Sequence, residues 1–152
     1  MYLHAIADTL LKSYMASLVV ITGASRGFGR ECCQQFSVKI TEPSHFILIG
    51  RDIDTLDDTA DLCRTIGSDG HQYHVFQMDF EDTESITDRM LMLTKLIESL
   101  KFDHVTVVNN GGSLGVLDRL VNPLKLAVPL SMAQISSSIN TNLTSTIFFT
   151  TC

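Results

Sequence analysis

Residues 19–31 read VVITGASRGFGRE, a run of β-branched residues that breaks into three glycines, Gly23, Gly27 and Gly29, within seven positions. A strand, a glycine-rich turn and a helix make a place for a pyrophosphate. The start of a helix offers N–H groups without intrahelical partners and a partial positive charge. A side chain in the turn would hold the phosphates away, so glycine lets the backbone approach and lets the helix pack close to the strand. The spacing is Gly-x-x-x-Gly-x-Gly, not Gly-x-Gly-x-x-Gly.

The other reactive side chains form no comparable group. Cys32, Cys33, Cys63 and Cys152 include no Cys-x-x-Cys and give neither a disulfide framework nor a zinc site, so free thiols in a reducing compartment are expected. His71 and His74, three apart in a strand-like stretch, point to opposite faces, and no metal site is expected among the histidines. No Ser/His/Asp or Cys/His arrangement has local support. Met90 and Met92 are read as core or near-core packing.

The elements that must position the glycines follow from the apolar pattern. Strands are expected over 17–22, 45–50, 72–79 and 103–110, and helices over 26–39, 54–67 and 82–100. Phe28, Cys32, Cys33 and Phe36 share one side of the first helix. Gly67 closes the second, as glycine often does. Ile86, Met90, Leu93 and Ile97 make one face of the third. A loop punctuated by Gly and Pro follows the fourth strand, and a last apolar, Ser/Thr-rich segment starts near Ser131. Alternating strands and helices with continuous apolar strands predict a Rossmann-like α/β fold, a doubly wound parallel sheet covered on both faces.

The chain has 152 residues, 45% hydrophobic and 18% charged, which fits one folded domain. A net charge of -6 with scattered basic residues argues against nucleic acid. No apolar run approaches the ~20 residues that span a bilayer. Residues 1–16 are read as an N-terminal extension: Met15 is the natural start, or the segment is a short amphipathic helix packed on the domain. A secretory signal is not expected there, since a basic start is missing and Asp8 and Lys12 interrupt the apolar residues.

Four motifs in order resemble the short-chain dehydrogenase/reductase family over residues 18–145. TGASRGFG (22–29) is similar to Thr-Gly-x-x-x-Gly-x-Gly, and MDF (78–80) puts Asp79 where the family has an acid near the adenine. NNGG (109–112) resembles Asn-Asn-Ala-Gly, with Gly111 in place of the alanine, and NLTS (142–145) places Asn142 at the tetrad asparagine. ASRGFGR, GRD, NNGGSLG and TNLTS resemble the sepiapterin reductase branch, which implies reduction of pterin side-chain carbonyls with NADPH in tetrahydrobiopterin synthesis, in the cytoplasm. The likeness fades over 116–138. It implies cofactor contacts from Gly23, Ser25, Arg26, Gly27, Phe28, Gly29, Arg51, Asp79, Asn109 and Gly111. It further implies a water-holding role for Asn142, a substrate side at Leu114 and Gly115, and homo-oligomers for full-length relatives, through the helix near Ser131 and the one after it.

The residues at the second strand give the cofactor more precisely. NAD-binding enzymes end that strand with an acid for the ribose 2′-hydroxyl; here it reads Gly50-Arg51. A 2′-phosphate wants a planar cation, and Arg26 in the glycine turn offers a second one, so NADP(H) is expected. The alternative is a pair of solvated arginines, with Asp52 neutralising Arg51.

Hydride transfer to a carbonyl also needs a proton donor. The family uses Tyr-x-x-x-Lys and a serine after the fifth strand. Tyr2, Tyr14 and Tyr73 are followed four positions on by Ile6, Leu18 and Gln77, so that motif is absent from these 152 residues. The expectation is an incomplete chain of about four strands, ending in the helix before the fifth strand, inactive alone, with its apolar fourth strand left as an aggregation-prone edge. Three readings stay open: the cofactor part of a pterin reductase, a catalytically inactive dinucleotide-binding module, and a reductase of the same fold acting on another carbonyl.

Overall fold

The computed structural model describes residues 16–82 and 84–112. The N-terminal segment before Ala16, the segment from Ser131, and the positions Leu114, Gly115, Asn142 and Cys152 lie outside them. Seven elements alternate along the chain: β1 Ser17–Thr22, α1 Gly27–Lys39, β2 His45–Gly50, α2 Ile53–Ile66, β3 Gln72–Gln77, α3 Ile86–Ser99 and β4 His104–Val108. All strand pairs are parallel, in the order β3-β2-β1-β4. Val20 sits between Ile47 of β2 and Val107 of β4.

Period-two alternation divides the apolar residues between two layers. Val19, Ile21, Phe46 and Leu48 face α1 and α2, where they meet Cys33, Leu56, Ala60 and Cys63. Leu18, Val20, Ile47 and Ile49 face α3, where Ile86 and Leu93 complete the second core. β1 and β2 are therefore buried on both sides, as their uninterrupted apolar runs require. The doubly wound parallel sheet expected from the sequence is the fold observed. Among the described residues β4 is an edge strand, with Val105 and Val107 exposed.

Several local expectations need correction. Phe28 does not join the buried side of α1; its ring is 69% exposed. Met92 is exposed as well, while Met90 packs on the α3 core. Gly67 follows α2 with an extended φ of -78°, so it is not a left-handed cap. Its smallness matters for a different reason: a Cβ there would come within 2.7 Å of both the Cys63 carbonyl oxygen and the Tyr73 hydroxyl.

The chain turns from β3 to β4 on the far side of β1, so the strand order reverses between β1 and β4. In open parallel sheets such a reversal opens a crevice beyond the carboxyl ends of the strands.

Candidate functional site

The crevice is a cavity of about 510 Å³, within the size range of small-molecule sites. Its walls come from the glycine turn (Gly23, Ser25, Arg26, Gly27), the end of β2 and start of α2 (Gly50 to Asp52, Thr55), the segment after β3 (Met78 to Glu81) and the loop after β4 (Asn110 to Gly112).

Hydrogen bonds from the strand ends shape the turn. Ala24 N–H donates to the Ile49 carbonyl at 3.1 Å, which ties the turn to β2. The Thr22 hydroxyl oxygen accepts from the backbone N–H of Asn110 and Gly111 at 2.9 and 2.7 Å, and the hydroxyl donates to Asn109 Oδ1 at 3.3 Å. The Asn110 amide donates to the carbonyls of Thr22 and Gly23 at 3.3 Å each. The two loops that flank the reversal are thus one bonded unit.

Glycine is required in this unit on two separate grounds. Gly23 and Gly27 have φ of +66° and +56°, where a side chain is strained. Gly29 has no room: a Cβ would strike the Gly23 carbonyl oxygen and lie 2.7 Å from Asn110 Nδ2. At Gly27 nothing lies within 4 Å of the Cβ position, so the space there is open for a ligand. α1 begins beside it with no side-chain cap and no acid in its first turn. That combination suits an anion.

The cations expected for a 2′-phosphate, Arg26 and Arg51, both line the cavity. The ion pair imagined between Arg51 and Asp52 is not formed. Arg51 Nη1 lies 3.7 Å from Glu81 Oε1 instead, a loose pair between largely exposed groups. Asp52 is occupied as the cap of α2, its Oδ1 accepting from Asp54 N–H at 3.1 Å and Thr55 N–H at 3.2 Å. The Gln77 amide donates to the Arg51 carbonyl at 2.9 Å and fixes the backbone under the guanidinium.

Of the ten cofactor contacts expected from the sequence, seven line the cavity: Gly23, Ser25, Arg26, Gly27, Arg51, Asp79 and Gly111. Gly29 and Asn109 stand behind the wall, shaping the turn and holding Thr22. Phe28 is not part of the wall. Sequence reasoning passed over Asn110, although the doubled asparagine after β4 carried the signal. It also passed over Glu81, two residues beyond the acid that drew attention. Gly111 touches this region closely: a Cβ would lie 2.9 Å from the Phe80 ring and 3.1 Å from the Thr22 hydroxyl, so the glycine and Phe80 fit each other.

The opposite end of the sheet holds a different polar group. His74 Nε2 is 3.4 Å from His45 Nδ1, and burial lowers the pKa of both rings, with His45 adding to the effect on His74. No cluster of three or more metal-ligating residues occurs among the described residues, and none of their helices is long and apolar enough to cross a membrane.

Residues 17–152 match the family described as short chain dehydrogenase, and the chain belongs to that family. Dehydrogenase/reductase SDR family member 7B of Xenopus laevis is 35% identical over 74 residues, 47% of this chain and 22% of that protein. Among solved structures, a short-chain dehydrogenase from Sphingobium yanoikuyae in complex with NADPH superposes with a TM-score of 0.60 at 23% identity, over 85% of this chain and 44% of its own. A metagenomic short-chain oxidoreductase in complex with NADP gives 0.62 at 19% identity, over 88% and 52%. A 3-oxoacyl-[acyl-carrier protein] reductase with bound NAD from Brucella melitensis gives 0.62 at 22%, over 90% and 46%. The chain spans about half the length of these structures and about a fifth of the Xenopus protein.

Proposed function

We propose that this chain is the cofactor-binding part of an NADP(H)-dependent short-chain reductase of carbonyl compounds. One observation carries the cofactor choice: Arg26 and Arg51 both line the cavity, and β2 ends at Gly50 and is followed by Arg51, with no acid there to meet a ribose 2′-hydroxyl. Structural neighbours with NADPH, NADP and NAD all share the fold, so these residues and not the fold make the distinction. The uncapped start of α1, with Ser25 and the open space at Gly27, would take the pyrophosphate. Asp79 would meet the adenine and Arg26 and Arg51 the 2′-phosphate. The bound nicotinamide supplies the hydride.

The substrate we propose is a pterin with a side-chain carbonyl, in the cytoplasm. The wording ASRGFGR, NNGGSLG and TNLTS supports this, with Leu114 and Gly115 on the substrate side and Asn142 in the proton relay. These residues contain no Tyr-x-x-x-Lys, so turnover by the family mechanism needs groups that the 152 residues do not supply. That favours a second reading for this chain on its own, a module that binds the dinucleotide without turning it over.

Calorimetric titration of the chain with NADPH tests the cofactor reading. One-to-one binding is expected, and absence of binding by a chain that melts cooperatively would refute it. The pterin reading is tested on a protein in which a serine and Tyr-x-x-x-Lys accompany these residues. Sepiapterin-dependent NADPH oxidation would support it, and turnover of other carbonyls but not of sepiapterin would refute the pterin reading alone.

A further inference from the structure

Cys33 and Cys63 lie outside the cavity and play no part in the proposed reaction. They face each other between α1 and α2, both fully buried, with their sulfurs 3.1 Å apart. Their backbones are pinned. The Cys33 carbonyl accepts from the Ser37 hydroxyl at 2.7 Å, and the Cys63 carbonyl accepts from Gly67 N–H at 2.8 Å and the Tyr73 hydroxyl at 3.2 Å. A disulfide needs the sulfurs at about 2 Å, so the pair stands about 1 Å from bonding distance.

We propose that Cys33 and Cys63 form a redox-active dithiol that a peroxide closes to an intramolecular disulfide. The electrostatics give the order of events. Pairing with Cys33 pulls the Cys63 thiol down to about 7 against the effect of burial, with Ser37, Arg30 and Arg64 helping. The same pairing, with burial, pushes Cys33 up. The nearby cations Arg30 and Arg64 favour a thiolate on Cys63, which makes it the attacking sulfur.

Its sulfur takes one peroxide oxygen, the O–O bond breaks, and the departing oxygen leaves as water with the proton of the Cys63 thiol. Cys33 then attacks the Cys63 sulfenic acid. The S–S bond forms, the S–O bond breaks, and the hydroxide leaves as a second water with the Cys33 proton. Two thiols and one peroxide give one disulfide and two waters; the sulfurs lose two electrons, which the peroxide gains. Because both sulfurs are buried, the peroxide enters through local opening between α1 and α2. The cross-link spans 30 residues and encloses β2 and Arg51.

The test uses the 152-residue chain with Cys32→Ser and Cys152→Ser, alongside the wild type, treated with hydrogen peroxide. Intact mass, free-thiol titration and peptide sequencing without reduction follow the product; the sequencing separates Cys32 from Cys33. The expected result is joint loss of both thiols in a monomer and a mass lower by two hydrogens. The share of oxidised chain that is Cys33–Cys63 disulfide should be higher for the folded chain than in guanidinium, with a higher melting temperature that dithiothreitol reverses. Cys63→Ser should lose the rise in melting temperature. Stepwise oxidation of one cysteine to sulfinic acid while the other stays free, cross-links between chains, or closure only in guanidinium would overturn the proposal. So would a wild-type link from Cys32 in place of Cys33.

Discussion

Two helices begin at the cavity, and they begin differently. α2 starts with Asp52, whose carboxylate bonds the N–H groups of Asp54 and Thr55. α1 starts with Arg26, which offers no side-chain cap, behind a turn in which Gly23 and Gly27 have positive φ. One helix answers its own orphan N–H groups, and the other has no side-chain cap. On the proposed function, that open start is where the pyrophosphate would bind. The charges agree: the capped start carries an additional acid, Asp54, while the open one carries none.

Substitutions can break this contrast, and the largest effect belongs to Gly29→Ala. Its Cβ would strike the Gly23 carbonyl, which is backbone and cannot swing away. A loss of about 3 kcal/mol is expected from such overpacking, read as a lower urea midpoint. Gly27→Ala has free space but a φ of +56°, so about 1–2 kcal/mol is expected. Its more telling readout is weaker NADPH binding, because the methyl group would stand where the phosphates approach.

Asp52→Ala removes the cap of α2 and should cost about 1 kcal/mol. Chemical denaturation would show the loss, and NADPH binding should not weaken, since a negative charge leaves the cavity wall. If Asp52→Ala weakened NADPH as much as Gly27→Ala does, the distinction between the two starts would fail. Glu81→Gln has the smallest effect on the site. It frees Arg51 from a loose pair and removes a negative charge from the cavity wall, so NADPH affinity should rise a few-fold, most at low salt.

The far end of the sheet supplies a pH check of similar size. Burial lowers the pKa of His45 and His74 in the folded chain. Their contribution is then complete above the unfolded value, about 6.5, and is lost as pH falls through the lowered folded values. Melting temperatures between pH 7.5 and 5 should decline less steeply in His74→Asn than in the wild type.

Much of this fold is legible in the chain. β1 and β2 fall at the expected residues, 17–22 and 45–50, because strands buried on both faces are written as unbroken apolar runs. Where strands were expected to run on at their carboxyl ends, the extra residues had joined the site or its support. β3 ends at Gln77 and not at Asp79, since Met78 and Asp79 turn into the cavity wall. β4 ends at Val108 because Asn109 and Asn110 leave the ladder to hold Thr22. α3 starts at Ile86, after Asp82 has used its carboxylate on the N–H groups of Glu84 and Ser85.

Partner choice was harder to read. An aspartate just ahead of α2 is a local sign of a cap, but nothing local says that Glu81, thirty positions away, meets Arg51. Spacing along one helix likewise does not show that Cys33 faces Cys63 on the next. Such pairs are fixed by how helices dock, not by sequence neighbours.

Arg51, with Arg26 in the same cavity wall, is proposed to select a dinucleotide that carries a 2′-phosphate. Titrating the 152-residue chain and Arg51→Ala with NADPH and NADH tests it most directly. The wild type should bind NADPH more tightly than NADH. In Arg51→Ala the loss of a charge-assisted contact should weaken NADPH roughly tenfold or more, with NADH little changed. An NADPH/NADH preference that is the same with and without Arg51 would contradict it.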